Sequence, residues 1–297
     1  MPTILVRENI PLSGNLPRRE AGGWQARLDL TFSPRESGHH ALSGTVLRHR
    51  HVGPLRIQKP LYPEGPSCCH AVVVHPPGGI ACGDHLHIHA NVQAQARALV
   101  MTPAATKWYG AFEDEAFASQ TIEHQIDGTL EWLPAETIVF DRARVRSHVD
   151  IRVGAQGRMF GWDQLIFGRQ ASKESFDQGL FDQKVSLYLD DELVWIDRLR
   201  LQGSDPLFES NLGLAHQGGC ATAWAVAPAH APFDDALLDR LREDLPATAV
   251  TRLHPRLLVM RSLGHAIDLR DGLQRLWQWF RVHWLGFPVH VPRLWAT

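Results

Sequence analysis

The residues with the clearest chemical potential lie between positions 75 and 89. His75-Pro76-Pro77-Gly78-Gly79-Ile80-Ala81-Cys82-Gly83-Asp84 runs directly into His85-Leu86-His87-Ile88-His89. Two prolines followed by two glycines specify a sharp turn, in which Gly78 and Gly79 supply backbone conformations that side chains disfavour. Asp84 stands at the exit of the turn, where a carboxylate can accept backbone N–H bonds. If 85–89 is a strand, His85, His87 and His89 share one face at successive spacings of roughly 6–7 Å. Imidazole is a good ligand for nickel and zinc, so the row is a candidate metal site. With water in a fourth position it would serve a metal-dependent hydrolase. The simpler reading is the polar outer face of an exposed strand, because no fourth ligand stands nearby in the sequence.

Three further groups carry chemistry. Thr102-Pro103-Ala104-Ala105-Thr106-Lys107-Trp108-Tyr109 sets small residues ahead of a hydroxyl and a lysine, as in a phosphate-binding turn. It lacks the glycines of a Walker A loop, which favours an interface loop or a capped turn. Glu131 and Glu136 are spaced as an acid–base pair could be, although such glutamates more often flank a strand end and bond a loop. Asp163 follows Gly161-Trp162. Asp197 follows Trp195 on the face shared with Leu199 and Leu201, which points its acid inward. An acid on an apolar face must be paired, hold a metal or meet water. Arg169 or Arg198 is a candidate partner, and an internal hydrophilic cavity is the functional alternative. There is no Gly-x-Ser-x-Gly elbow, no His-Glu-x-x-His and no Gly-x-Gly-x-x-Gly, so no catalytic residue is assigned.

The elements that must position these residues are mostly strands. Trp24, Ala26, Leu28, Leu30 and Phe32 alternate with Gln25, Arg27, Asp29 and Thr31, a period of two that buries one face. Further short segments follow at 42–51, 55–59, 70–75, 85–92, 97–102, 117–126, 129–133, 145–153, 158–167, 185–189, 192–201 and 219–226. Gly, Pro, Asn or Asp punctuate most gaps. Two helices come late. Near 233–245, Leu237, Leu238, Leu241 and Leu245 form an apolar face behind Asp234 and Asp235. Near 269–284, Leu269, Leu273, Leu276, Trp277, Phe280 and Trp284 repeat at helical spacing. Strands near 247–253 and 256–262 lie between them. Trp277, Trp279 and Trp284 cannot all face one stripe, so an exposed indole that anchors a partner is expected here. Residues 1–22 read as a flexible arm with Pro11, Gly14 and Pro17. Residues 23–297 read as one antiparallel or coiled all-β domain with a C-terminal helical layer.

Composition narrows the function classes. The chain has 297 residues, 44% hydrophobic and 21% charged, with a formal net charge of −2. That balance gives no electrostatic reason to expect nucleic acid or an anionic membrane. Cys68, Cys69, Cys82 and Cys220 form neither a disulfide framework nor a zinc-ribbon pattern, which with no secretory leader points to the cytoplasm. No stretch approaches the roughly 20 apolar residues of a membrane span.

Several of these segments together resemble the UreD (UreH) family of urease accessory proteins. They are Gly53 to Gly65, the turn from His75 to Asp84, Thr102 to Tyr109, Leu130 to Glu136 and the end Pro292-Arg293-Leu294-Trp295-Ala296-Thr297. The resemblance runs from Trp24 to Thr297. It implies a coiled, β-helix-like fold with a few helices and no catalysis. It implies work with UreF and the GTPase UreG to deliver nickel to apo-urease through an internal water-filled tunnel, with nickel passing transiently and no cofactor held permanently. The polar positions it implicates fall on Asp84, Thr106, Asp163 and Asp197. Cys82 replaces the family's usual glycine, and Asp163 stands where many members carry glutamate. The histidines at 85, 87 and 89 inherit nothing from the resemblance. The alternatives to this reading are the metal-dependent hydrolase above and a metal-free β-rich interaction module.

Overall fold

The computed structural model describes residues 23–35, 44–111 and 116–296. The expected arm at 1–22 lies outside them. The chain begins with β1 (Gln25–Pro34), β2 (Thr45–Val52), β3 (Arg56–Ile57), β4 (Cys69–Val74), β5 (His85–Val92) and β6 (Arg97–Met101). It continues with β7 (Thr106–Trp108), β8 (Ala118–Ile126), β9 (Thr129–Leu133), β10 (Thr137–Val139), β11 (Arg144–Val153) and β12 (Arg158–Phe167). Then come β13 (Leu180–Leu189), β14 (Glu192–Gln202), β15 (Gly219–Val226), α1 (Asp235–Asp244), β16 (Ala249–His254), β17 (Leu257–Gly264) and α2 (Ala266–Phe280).

Two sheets face each other. The first has the order β14-β13-β11-β8-β5-β1-β2; the second has the order β16-β17-β15-β12-β9-β6-β4-β3, with β10 joining β12 to β7. Along the chain, β4, β6, β9 and β12 fall in the second sheet, while β5, β8, β11 and β13 alternate with them in the first. Neighbours within each run are parallel. Parallel neighbours need a crossover, usually a helix. Here a strand of the opposite sheet is the crossover, so the chain winds as a coil and the expected β-helix-like architecture is met. Antiparallel pairs close both ends: β1 with β2, β13 with β14, and β12 with β15.

One apolar core fills the space between the sheets, around Leu28, Phe32, Val145, Phe181 and Trp224. A second lies between the outer face of the second sheet and α2, around Phe160, Leu273, Trp277 and Phe280. The two faces explain the two sequence patterns. β5 is buried at every second residue and wet between. β4 is buried almost throughout, because both of its faces are covered. Asp234 caps α1 by accepting from Leu237 N at 2.8 Å, and α2 runs on through a π turn, Arg281–Leu285. The strands expected at 85–92, 129–133, 158–167 and 219–226 form with those bounds. β7 and β10 were not expected, since three residues carry no readable period. No helix among the described residues is long and apolar enough to cross a membrane.

Candidate functional site

Between the sheets the apolar core leaves a cavity of about 50 Å³, room for a few water molecules, with mostly apolar walls and a set of polar groups among them. Its polar lining comes from both sheets. Gln120, Ser147 and Gln183 stand at one register level on β8, β11 and β13, so their inward side chains make a continuous polar rung. Thr106 and Thr137 are paired on β7 and β10. Asp163 projects from β12, and its Oδ2 accepts from Gln183 Nε2 at 2.6 Å, a bridge from one sheet to the other. Trp108, Trp132, Trp162 and Trp224 supply the apolar walls.

Burial raises the pKa of the Asp163 carboxyl, against donation from the Gln183 side chain and the Gln164 backbone, which lowers it. The Trp224 ring is part of the lining, but its Nε1 is sealed from the space and has no hydrogen-bond partner among the described residues. Cys220 of β15 is not in the lining but packs against the core close enough to feel Asp163. Burial, then the charge of Asp163, pushes its thiol up to about 12, so it stays protonated at neutral pH and is a poor metal ligand. The cavity therefore offers oxygen donors: one carboxylate, several hydroxyls and amide oxygens. Such a set binds a borderline cation weakly.

The other residues singled out in the sequence sit elsewhere. Asp84 is buried and ties the turn to the first strand, accepting from Trp24 N at 2.6 Å and Ala81 N at 2.9 Å. It is not part of the cavity lining. Asp197 lies on the edge strand β14, partly exposed, and pairs with Arg261 of β17 at 2.7 Å, from one sheet to the other; it is not part of the cavity lining. Its partner is thus neither Arg169 nor Arg198; Arg169 pairs with Glu174, and Arg198 with Asp182. Gly78 has φ +80, and an added Cβ at Gly79 would run into the Tyr109 ring.

His85, His87 and His89 do form an outward row on β5. Arg27 donates to His87 Nδ1 at 3.0 Å, so Nε2 carries the proton and donates to Glu123 at 2.7 Å. Both nitrogens of His87 are thus engaged. The tryptophans differ from expectation. Trp277 is fully buried, Trp279 is 7% exposed and donates to Asp244 Oδ2 at 2.7 Å, and Trp284 packs on Phe233 and Phe280. The helix buries more than one stripe because α1 and the C-terminal segment flank it. The ground for an interface there, an exposed indole, is absent.

Sequence reading missed a second polar centre. Glu131 is completely buried and accepts from Trp277 Nε1 at 2.7 Å, from Arg281 Nε at 2.8 Å and, at its other oxygen, from Arg281 NH2 at 2.9 Å. Arg281 NH2 also donates to both oxygens of Glu64, at 2.7 and 2.9 Å, and Arg97 joins both acids. Glu131 is therefore not half of an acid–base pair with Glu136. Glu64, Cys68 and His70 bring potential ligand atoms within 4.8 Å of one another. They do not suit a cation. Glu64 is bonded by His70 and two arginines, and burial pushes the Cys68 thiol far up. Burial alone would raise the Glu64 pKa, but the bonds from His70 and Arg281 and the charges of Arg281 and Arg97 bring it down to about 2. The signal was present in the sequence: Glu131 sits between Leu130 and Trp132, and Arg281 extends the apolar helical stripe, each a charge placed where only a partner makes it tolerable.

Comparison with known proteins gives one answer. The profile of the family described as "UreD urease accessory protein" matches residues 25–296. A "Urease accessory protein UreD" of Dechloromonas aromatica (strain RCB) is 40% identical over 281 residues, covering 92% of this chain and 95% of the relative. The protein of the same name from Pseudomonas fluorescens is 41% identical over 290 residues, covering 95% and 100%. That from Saccharophagus degradans is 35% identical over 296 residues, covering 97% and 99%. At this identity, over nearly the full length of both partners, the chain belongs to the UreD family of urease accessory proteins.

Proposed function

We propose that this chain is a urease maturation factor, not a catalyst, and that with UreF and UreG it hands nickel to apo-urease. The observation that carries the reading is the internal cavity, with the enclosed Asp163 carboxyl, its Gln183 bridge and the hydroxyls of Thr106 and Thr137. A buried acid kept beside water-sized space is costly for a scaffold and useful for a passage. Oxygen donors would let nickel move on, where a set of histidines or thiolates would retain it. Nickel is cargo in this account, and no permanent cofactor is proposed. On this reading Asp163 and Thr106 line the route, Asp197 ties one sheet to the other, and Asp84 holds the turn that positions β5. The free thiols of Cys68 and Cys69 fit a reducing cytoplasm.

The test is nickel-dependent activation of apo-urease with UreF, UreG and either the parent chain or Asp163→Leu. Slower activation, with co-purification of UreF unchanged, is the expected result. Normal activation by a folded Asp163→Leu variant would refute the passage. Activation that proceeds equally well without this chain would refute the maturation role.

A further inference from the structure

We propose that the outer face of the first sheet is a docking surface for an acidic face of a protein partner. The outer side of the second sheet is covered by α2, whereas no described helix covers the first. Its outward side chains are arranged in register. One row across β1, β5, β8, β11, β13 and β14 reads Arg27, His87, Thr121, His148, Lys184, Arg198. The next reads Gln25, His85, Ser119, Arg146, Asp182, Arg200. On β2, Arg50 stands opposite Asp29 and Arg48 opposite Thr31.

The carboxylates on this face are largely used internally. Asp29 is held by Arg27, Asp182 by Arg198 and Glu123 by His87. Arg48, Arg50, Arg146 and Lys184 have no ion-pair partner among the described residues. The face is therefore left with a surplus of positive charge, on a chain whose net charge is −2. A positive surplus on one face of a molecule whose net charge is −2 is what charge-complementary association can use. With Arg27, His87 and Arg198 engaged by Asp29, Glu123 and Asp182, the free cations are separated by these pairs and form no unbroken basic stripe of the kind a phosphate backbone or an anionic headgroup layer favours. A protein face with scattered carboxylates can meet the arginines and avoid the acids. The area suits such a partner. Six inter-strand steps of about 4.8 Å, by strands roughly 26–33 Å long, give on the order of 800 Å², about one side of a standard protein interface.

Apo-urease is the probe, a choice that rests on the maturation reading. Its affinity for the chain is measured at 50 and 300 mM salt, for the parent and for Arg146→Glu/Lys184→Glu/Arg200→Glu. A glutamine version of the same triple covers the case in which the reversed variant fails to fold. The expected results are affinity at least tenfold weaker for the glutamate triple, a smaller loss for the glutamine triple, and a flatter salt dependence for both. Arg240→Glu, on α1, leaves binding unchanged. Equal binding by the parent and both folded triples would overturn the docking surface and leave the maturation reading standing. No binding by the parent would overturn both. Binding of phosphatidylserine vesicles or single-stranded DNA through these same cations, in preference to apo-urease, would also overturn the proposal.

Discussion

Asp163 and Glu64 are both enclosed carboxylates, and their surroundings set them opposite tasks. Asp163 meets one amide and a cavity; Glu64 meets two guanidinium groups and an imidazole. Asp163 has a raised pKa, so its charged form costs stability in the folded state at neutral pH. Asp163→Asn keeps an oxygen for Gln183 and removes the charge. The melting temperature is expected to rise by about 2 °C or more, while nickel-dependent activation falls. Thermal scans beside the activation assay check this; a variant that is less stable and fully active contradicts it. Glu64 has a pKa depressed to about 2, below its unfolded value of about 4.5. Its contribution is therefore fully present above about pH 4.5 and is lost as pH falls toward 2. Unfolding in urea at pH 6, 4 and 3 should show stability dropping across that window, and the drop should shrink in Glu64→Gln.

At the scale of elements, the C-terminal helix is fastened by charge as well as by its apolar stripe. Arg281, in the π turn that ends α2, reaches Glu131 on β9 and Glu64 in the segment before β4. Truncating one member of such a buried network leaves the others uncompensated, typically a loss of about 3–5 kcal/mol. Arg281→Met is expected to lose stability of that order and to loosen α2. Hydrogen exchange across 266–285 compared with 144–153 reads this directly; equal protection in variant and parent would refute the fastening. The turn before β5 is held differently. Gly78 needs its positive φ but has open space, so alanine there carries only the left-handed backbone penalty, roughly 1–2 kcal/mol. Gly79 lies against the Tyr109 ring, so valine must displace an aromatic group and is expected to cost more than Gly78→Ala. Urea midpoints of the two variants rank the effects.

The coil as a whole distributes stability from its centre outward. β5, β8 and β11 have a parallel neighbour on each side, whereas β2, β14, β3 and β16 end their sheets. The central strands are expected to exchange amide hydrogens last, and the edge strands first. Native-state exchange that protects β14 as strongly as β8 would contradict this. The same arrangement leaves the outer face of the first sheet with no helix of the described residues against it. Its charge, not its apolar content, is then what distinguishes one partner from another.

The sequence by itself determined the family and the elements apart from β7 and β10. Period-two alternation marked β1 and β5 and put the histidine row outside, because that pattern is set by one strand and its two environments. Long apolar runs marked strands covered on both faces, and helical spacing marked α2. Only the tertiary structure decided which polar residues meet. Thr106 and Asp163 are 57 positions apart in number and share a cavity because the coil brings β7, through β10, beside β12. Glu64, Glu131 and Arg281 read as unrelated charges until the helix folds back over the second sheet. Asp197 reads as an inward acid, and it finds Arg261 only because the fold sets β14 of one sheet against β17 of the other. Local periodicity reports which side of an element is buried; the partner across the core is set by the order in which strands stack, and that order leaves no local trace in the chain.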